Sequence, residues 1–189
     1  MTDEDELVIA ESLRVPERFG VLYDRYFTDI YRYIAGRLGA QTADDLAAEV
    51  FLAAFHGRAG FDAERGGVRG WLYGIATNHV AQHRRSENRQ LRIMHKAAAT
   101  GDRPDDGHED LVAGRVAAQS VKGTLATALG DMPDADRDVL LLVALADLSY
   151  QEVGQALDIP AGTVGSRLNR IRRKLRVALG DAVFGGSHG

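Results

Sequence analysis

Between Ile159 and Gly180 the chain carries no acidic residue, yet it holds Arg167, Arg170, Arg172, Arg173, Lys174 and Arg176. Such cations neutralise phosphates. Arg and Asn on one helix can also bond base edges in a major groove. The residues upstream shape a mount for that helix. Ser149 and Glu152 form an S-x-x-E capping box, and Val153, Ala156 and Leu157 supply a buried side. Asp158-Ile-Pro is a corner, and Pro160 can begin a helix but not continue one. Val164, Leu168, Ile171 and Leu175 then recur at steps of four, three and four, which leaves Ser166, Arg167, Asn169, Arg170, Arg173 and Lys174 on other faces. This is the pattern of a helix-turn-helix with a basic second helix. A helical hairpin with a merely solvated basic face is the plainer alternative. Box, corner, register and missing acid coincide, however, and together they favour DNA.

A second group lies earlier. Trp71, Tyr73, Asn78, His79, Gln82, His83, Arg84 and Arg85 fall on one continuous helix, behind a Gly-rich loop with Phe61, Asp62, Glu64 and Arg65. Aromatic, amide and basic side chains together suit unstacked bases: rings stack and cations track the backbone. From spacing alone Trp71 reads as a core aromatic, and Arg84 and Arg85 as a helix end complementing its dipole. His79 and His83 stand at i, i+4 and could share a metal, but no acid lies between them and no third ligand is evident. No G-x-S-x-G, Walker loop or G-x-G-x-x-G occurs. With no cysteine, disulfides, Cys-ligated zinc, iron–sulfur clusters and Cys nucleophiles are excluded. Asp44 and Asp45 start a helix and need no catalytic role. The expectation is a chain that is not an enzyme, with no catalytic residue, metal or cofactor.

The elements that must position these residues are helical. Phe19, Leu22, Tyr23, Tyr26, Phe27, Ile30, Tyr33, Ile34 and Leu38 form one long apolar stripe. Leu46, Val50, Phe51, Ala54 and Phe55 predict a second helix, capped near Thr42. Four glycines between Gly57 and Gly67 break the pattern, and a third helix runs from about Val68 to near Arg92. A second block begins near Leu111 with a helix to about Leu129. Asp131 reads as an N-cap with Pro133 opening the next helix, which runs to about Ala146.

The chain has 189 residues, 45% hydrophobic and 26% charged, so it is neither disordered nor fibrous. Its length fits one ordinary domain or two small ones. No stretch reaches the roughly 18 apolar residues of a membrane span. The acidic N-terminus does not resemble a signal peptide. No membrane insertion and a cytoplasmic location are expected. A net charge of −4 excludes a uniformly basic coat but not a local basic face. Charge is in fact segregated: acids to Glu17, bases from Arg84 to Lys96, and Asp102, Asp105, Asp106, Glu109 and Asp110 with Gly101, Pro104 and Gly107 between the blocks. The expected fold is all-α: two small helical domains joined by a flexible acidic linker. The divisions are an acidic N-terminal extension at 1–14, a first domain at 15–95, a linker at 96–114, a helix-turn-helix domain at 115–180 and a flexible tail at 181–189.

Residues 15–93 and 115–179 together resemble bacterial RNA polymerase sigma factors of the extracytoplasmic-function (ECF) group of the sigma-70 family. Asp44-Asp-Leu-Ala-Ala-Glu-Val-Phe-Leu is similar to the region 2 helix that docks on the clamp of the polymerase β′ subunit. The resemblance assigns that contact to Asp45, Leu46, Glu49, Val50 and Phe51. Ala48 stands where the family commonly has Gln. The segment from Phe61 to Arg85 is similar to the part that reads and melts the −10 element. This implies −10 contacts for Asn78, His79, Gln82, His83, Arg84 and Arg85, and capture of an extruded base by the loop with Phe61, Asp62 and Arg65. The segment from Pro160 to Leu168 is similar to region 4, the reader of the −35 duplex. It implies contacts from Thr163, Ser166, Arg167, Asn169, Arg170, Arg173 and Lys174, with Gly165 where Arg or Lys is usual. The length leaves no room for an N-terminal inhibitory domain or a full region 3, which points to the ECF group. The resemblance implies an alternative sigma factor that binds core RNA polymerase at the β′ clamp and β flap. Its other partners would be promoter DNA (duplex at −35, partly single-stranded at −10) and an anti-sigma factor. The alternative from another class is a stand-alone helix-turn-helix regulator. Its DNA binding should survive Phe51→Ala, since it needs no clamp.

Overall fold

The computed structural model describes residues 2–98, 123 and 127–179. Among the described residues there is no strand; the elements are helices and 3-10 turns. In chain order they are α1 (Thr2–Ser12), a turn at Pro16–Phe19, α2 (Gly20–Leu38), α3 (Ala40–Gly57), turns at Arg58–Gly60 and Ala63–Arg65, and α4 (Val68–Ala98). After residues 127–130, also helical, come α5 (Asp134–Ala144), α6 (Tyr150–Leu157) and α7 (Ala161–Leu179). Residues 1–81 and 133–171 form one compact unit, and 82–132 with 172–189 a second. The 96–114 linker from residue 99 onward, most of the helix expected before Leu129, and the 181–189 tail lie outside the described residues.

The first unit is built on α2 and α3. Leu22, Tyr26, Ile30, Tyr33 and Ile34 turn inward from α2, and Ala43, Leu46, Ala47, Val50, Phe51 and Ala54 from α3. Both sets recur at three- and four-residue steps, so each helix buries one face and the two faces meet. Gly39 joins them at φ +87°, a conformation that a side chain strongly disfavours. Its N–H donates to Ala35 O. This glycine displaces the cap expected near Thr42: α3 begins at Ala40, and no side chain caps it.

The acidic N-terminal stretch folds as α1. Asp5, Val8, Ile9 and Ser12 share its buried face. The Asp5 carboxylate accepts hydrogen bonds from Arg25 and from the Tyr26 hydroxyl. Burial, and then the Asp5 hydrogen bond, push the Tyr26 hydroxyl well above its ordinary range. From α4, Val68, Leu72, Tyr73, Ala76 and Val80 complete this core. The Tyr73 ring meets Tyr33 edge-on at 5.4 Å, and burial holds its hydroxyl up at about 12.

The later helices begin slightly later than expected. Pro133 is the residue before α5, with ψ 140°, and no side chain caps the helix; Asp131 therefore does not serve as its N-cap. Asp136, Val139 and Leu142 are the buried residues of α5. The capping box of α6 forms as expected from its residues. Asp158 closes α6 in the left-handed region, at φ 53°. A Cβ on Gly154 would lie 2.7 Å from Ile159 O, so only glycine lets the corner close this tightly. Val164, Leu168 and Ile171 anchor α7, while Leu175 is half-buried.

Candidate nucleic-acid and polymerase interface

The helix-turn-helix presents α7 on a locked corner. The Ser149 hydroxyl accepts the Glu152 N–H at 3.3 Å, and Glu152 Oε2 accepts the Ser149 N–H at 2.8 Å. Burial pushes the Glu152 carboxyl up, but the Ser149 hydrogen bonds and the nearby Arg69 guanidinium outweigh it, and the group sits below its ordinary value. Within this unit Ser166, Asn169 and Arg170 are exposed, and Thr163 and Arg167 half-buried. In the second unit Arg173 and Lys174 are exposed. Arg167 donates to Ala135 O at 3.2 Å. Arg170 pairs with the buried Asp136 carboxylate at 2.5 Å. Two expected phosphate or base contacts are thus also braces onto α5. Asp136 went unnoticed in the sequence, where the alternation Asp134-x-Asp136-x-Asp138 is its only signal.

The Gly-rich loop is ordered by its own residues. The Asp62 carboxylate accepts the Glu64 N–H at 3.0 Å and starts the Ala63–Arg65 turn. The Phe61 ring lies 5.3 Å from Trp71, tilted by 60°. Both are half-buried, so Trp71 is not the fully buried core aromatic that spacing alone suggests. Asp62, Arg65 and Asn78 are exposed. His79 is half-buried with Nδ1 3.6 Å from Glu49 Oε2. In the second unit Gln82 and Arg85 are exposed, Arg84 is half-buried, and His83 Nε2 lies 3.4 Å from Glu87 Oε1. Each histidine therefore faces a glutamate. Among the described residues no group of three His, Cys, Asp or Glu side chains has metal-binding geometry.

The expected clamp residues divide into two sets. Leu46, Val50 and Phe51 belong to the core: Val50 is fully buried and Phe51 only 4% exposed. Phe51 packs against Tyr23 and Phe27 of α2, and the side chains of Leu46, Val50 and Phe51 are all buried in the folded bundle. Asp45 and Glu49 face outward, as does Ala48. Leu52 shares their face at helical spacing and is 56% exposed. Next to Phe51 in an apolar run, it carries no sign in the sequence of being exposed. Tyr23 and Phe27 also differ from expectation. They stack at 4.8 Å, with Tyr23 on the Phe51 edge at 5.0 Å and 40% exposed. Their spacing with Tyr31 (i, i+4, i+8) marks an outer aromatic row of α2 rather than its inner stripe.

Comparisons with known proteins agree with this layout. The family model for Sigma-70 region 2 matches residues 22–90, and that for Sigma-70 region 4 matches residues 122–175. ECF RNA polymerase sigma factor SigC of Mycobacterium tuberculosis is 32% identical over 180 residues, covering 91% of each chain. ECF RNA polymerase sigma factor SigW of Bacillus subtilis is 30% identical, covering 87% of this chain and 90% of its own. Among solved structures, CnrH in complex with the cytosolic domain of CnrY aligns with a TM-score of 0.62 at 22% identity, over 97% of this chain and 99% of that one. The sigma factor RpoE, solved with the anti-sigma factor NepR from Bartonella quintana, aligns at 0.59 and 18% identity, over 86% and 97%. At those identities the likeness is one of fold.

Proposed function

The chain belongs to the ECF sigma factors of the sigma-70 family, alternative sigma factors that direct promoter-specific transcription by RNA polymerase, and from that premise we propose which residues do each part of the work. Residues 15–95 would carry core-polymerase binding and −10 recognition, and 115–180 the −35 contact. The outward side of α3, with Asp45, Glu49 and Leu52 beside the Tyr23–Phe27 row, docks on the polymerase clamp. An apolar centre with a charged rim is the usual make-up of such a patch. Phe61, Asp62 and Arg65 with Asn78 and His79 take up the unstacking −10 strand, joined by Gln82, His83, Arg84 and Arg85. Thr163, Ser166, Arg167, Asn169, Arg170, Arg173 and Lys174 contact the −35 duplex. The polymerase supplies the chemistry, and the chain acts in the cytoplasm. No described helix is long and apolar enough to cross a membrane. An anti-sigma factor is a proposed further partner, as is the polymerase β flap.

One observation carries this reading. A basic, partly exposed α7 and an ordered loop before α4 share a chain with exposed Leu52 on α3 and Tyr23 on α2, apolar surface that DNA binding alone does not require. Two weak DNA contacts on one tethered chain combine into useful avidity. The test is to titrate labelled chain into core RNA polymerase, with the housekeeping sigma factor as competitor. Saturable, competed binding followed by run-off transcripts from genomic fragments is expected. Tight duplex binding with no affinity for core would instead leave the stand-alone regulator.

A further inference from the structure

We infer that Asp136 of α5 is a positioning residue for −35 recognition, holding the Arg170 guanidinium so that its free fork reads one guanine rather than a phosphate. The inference deepens the assignment of α7 to the −35 duplex and rests on it. Asp136 lies outside the reading helix, in the first turn of α5, where the helix N-terminus favours an ionised carboxyl. Its side chain is only 4% exposed, against 48% for that of Arg170. The two meet along one side of the guanidinium. Nε donates to Oδ2 at 3.3 Å, and Nη2 donates to Oδ1 at 2.5 Å.

A guanidinium carries five N–H donors in one rigid plane. The Asp136 contact takes the Nε–H and one hydrogen of Nη2. That leaves the end fork, one N–H on Nη1 and one on Nη2, pointing the same way. Guanine O6 and N7 accept such a pair in a major groove. A pair with one member buried and the other half in water is a weak stabiliser of the fold. Its stronger effect is on where the fork points. Fixing a long side chain before DNA arrives also spares its ordering cost on binding.

The carboxylate has a second effect. Phosphate contacts draw on positive charge and carry no sequence information. A carboxylate this close offsets the charge of Arg170, so the pair attracts phosphate weakly while its hydrogen-bond pattern stays intact. Arg167, three residues earlier on α7, is held from the same turn of α5 but by a neutral group: Nη1 donates to Ala135 O at 3.2 Å. Arg167 keeps its full charge and suits a phosphate. The first turn of α5 thus sorts two arginines of α7 into different tasks.

The test has two arms. Holoenzyme reconstituted with the full chain selects from a duplex library randomised over the −35 region. The full chain alone is titrated with a mixed-sequence duplex at several salt concentrations. The parent holoenzyme is expected to select guanine at one position, and Arg170→Ala should abolish that selection. Asp136→Asn should weaken it by about fivefold or more, the low end of what a bidentate base contact discriminates. The same Asp136→Asn chain should bind mixed-sequence duplex more tightly than the parent, with a salt slope steeper by about one phosphate, because Arg170 regains its charge. A fold defect would move both affinities down together. Asp136→Glu keeps the charge but displaces the fork by one methylene. It should relax the guanine selection at unchanged mixed-sequence affinity, and it carries the test if circular dichroism shows Asp136→Asn unfolded. Guanine selection that survives both Asp136 variants, or specific and mixed-sequence binding that fall by the same factor, overturns the positioning role. Guanine selection that survives Arg170→Ala overturns the −35 role of Arg170 itself, and the inference with it.

Discussion

Replacing Phe51 and replacing Leu52 should have opposite consequences, although the two are neighbours in the sequence. Phe51 is 4% exposed, set against Tyr23 and near Phe27. Truncation to alanine leaves a cavity between α2 and α3 and costs about 3–5 kcal/mol. For a chain of this length each kcal/mol lowers Tm by about 2–4 °C, so Phe51→Ala should melt roughly 6–20 °C below the parent. Leu52 is 56% exposed. Leu52→Gln keeps a good helix former and should change stability by no more than about 0.5 kcal/mol. If Leu52 anchors the clamp contact, losing it should weaken core-polymerase binding by at least about fivefold, the effect of removing a contact worth about 1 kcal/mol or more. The assay pairs differential scanning calorimetry with anisotropy titration into core polymerase, well below the melting of either variant. Phe51→Ala should shift the melt and, while folded, bind within a few-fold of the parent. The reasoning would be refuted by a Phe51→Ala chain that melts normally yet loses polymerase, or by a Leu52→Gln chain that binds like the parent.

Three further outcomes are expected. Asp5→Ala leaves the buried Tyr26 hydroxyl and the Arg25 guanidinium without their shared acceptor. It should cost about 1–3 kcal/mol, read as a lower denaturant midpoint and faster proteolysis within α1. The Glu152 carboxyl is held below its ordinary value, so the folded state binds its proton less readily than the unfolded chain does. Its contribution is present above the unfolded pKa, near 4.3, and is lost as pH falls through the folded one; acid should loosen α6, and Glu152→Gln should remove that part of the pH dependence of unfolding. Gly165 has space beside it, since an added Cβ would meet only the Tyr150 ring at 3.7 Å. Gly165→Ala should therefore stabilise α7 by about 1 kcal/mol, visible as a rise in Tm.

The helix-turn-helix was the most legible part of the sequence because its signals are local. A capping box acts within four residues, a proline corner within three, and the register of Val164, Leu168 and Ile171 within two turns. The inward face of α2 was legible for the same reason, but its edges were not. Tyr23 and Phe27 are as apolar as Tyr26 and Ile30, and only the position of α3 decides which row is covered. The clamp residues show the same limit from the other side. A motif marks the stretch from Asp44 to Leu52, while helix geometry alone separates buried Val50 and Phe51 from exposed Glu49 and Leu52. The role of Gly39 was hidden because its backbone angle, rather than the Thr42 side chain, starts α3. Least legible were the pairs across long separations: Arg69 with Glu152, Arg37 with Asp138, and Asp5 with Arg25. No spacing rule links residues that meet only after the chain has folded.

The place of Trp71 has a practical corollary. It is the chain's only tryptophan, and its ring sits against Phe61 on the wall of a cleft that Gln155 and Pro160 also line. Light at 295 nm would excite that indole almost alone. Its emission maximum would follow the wetting of this one cleft, and a nucleobase stacking nearby would quench it by charge transfer. An unmodified preparation thus carries its own optical probe at the cleft that the loop and α6 line together. Stopped-flow fluorescence on polymerase addition would time any change in that cleft without a label.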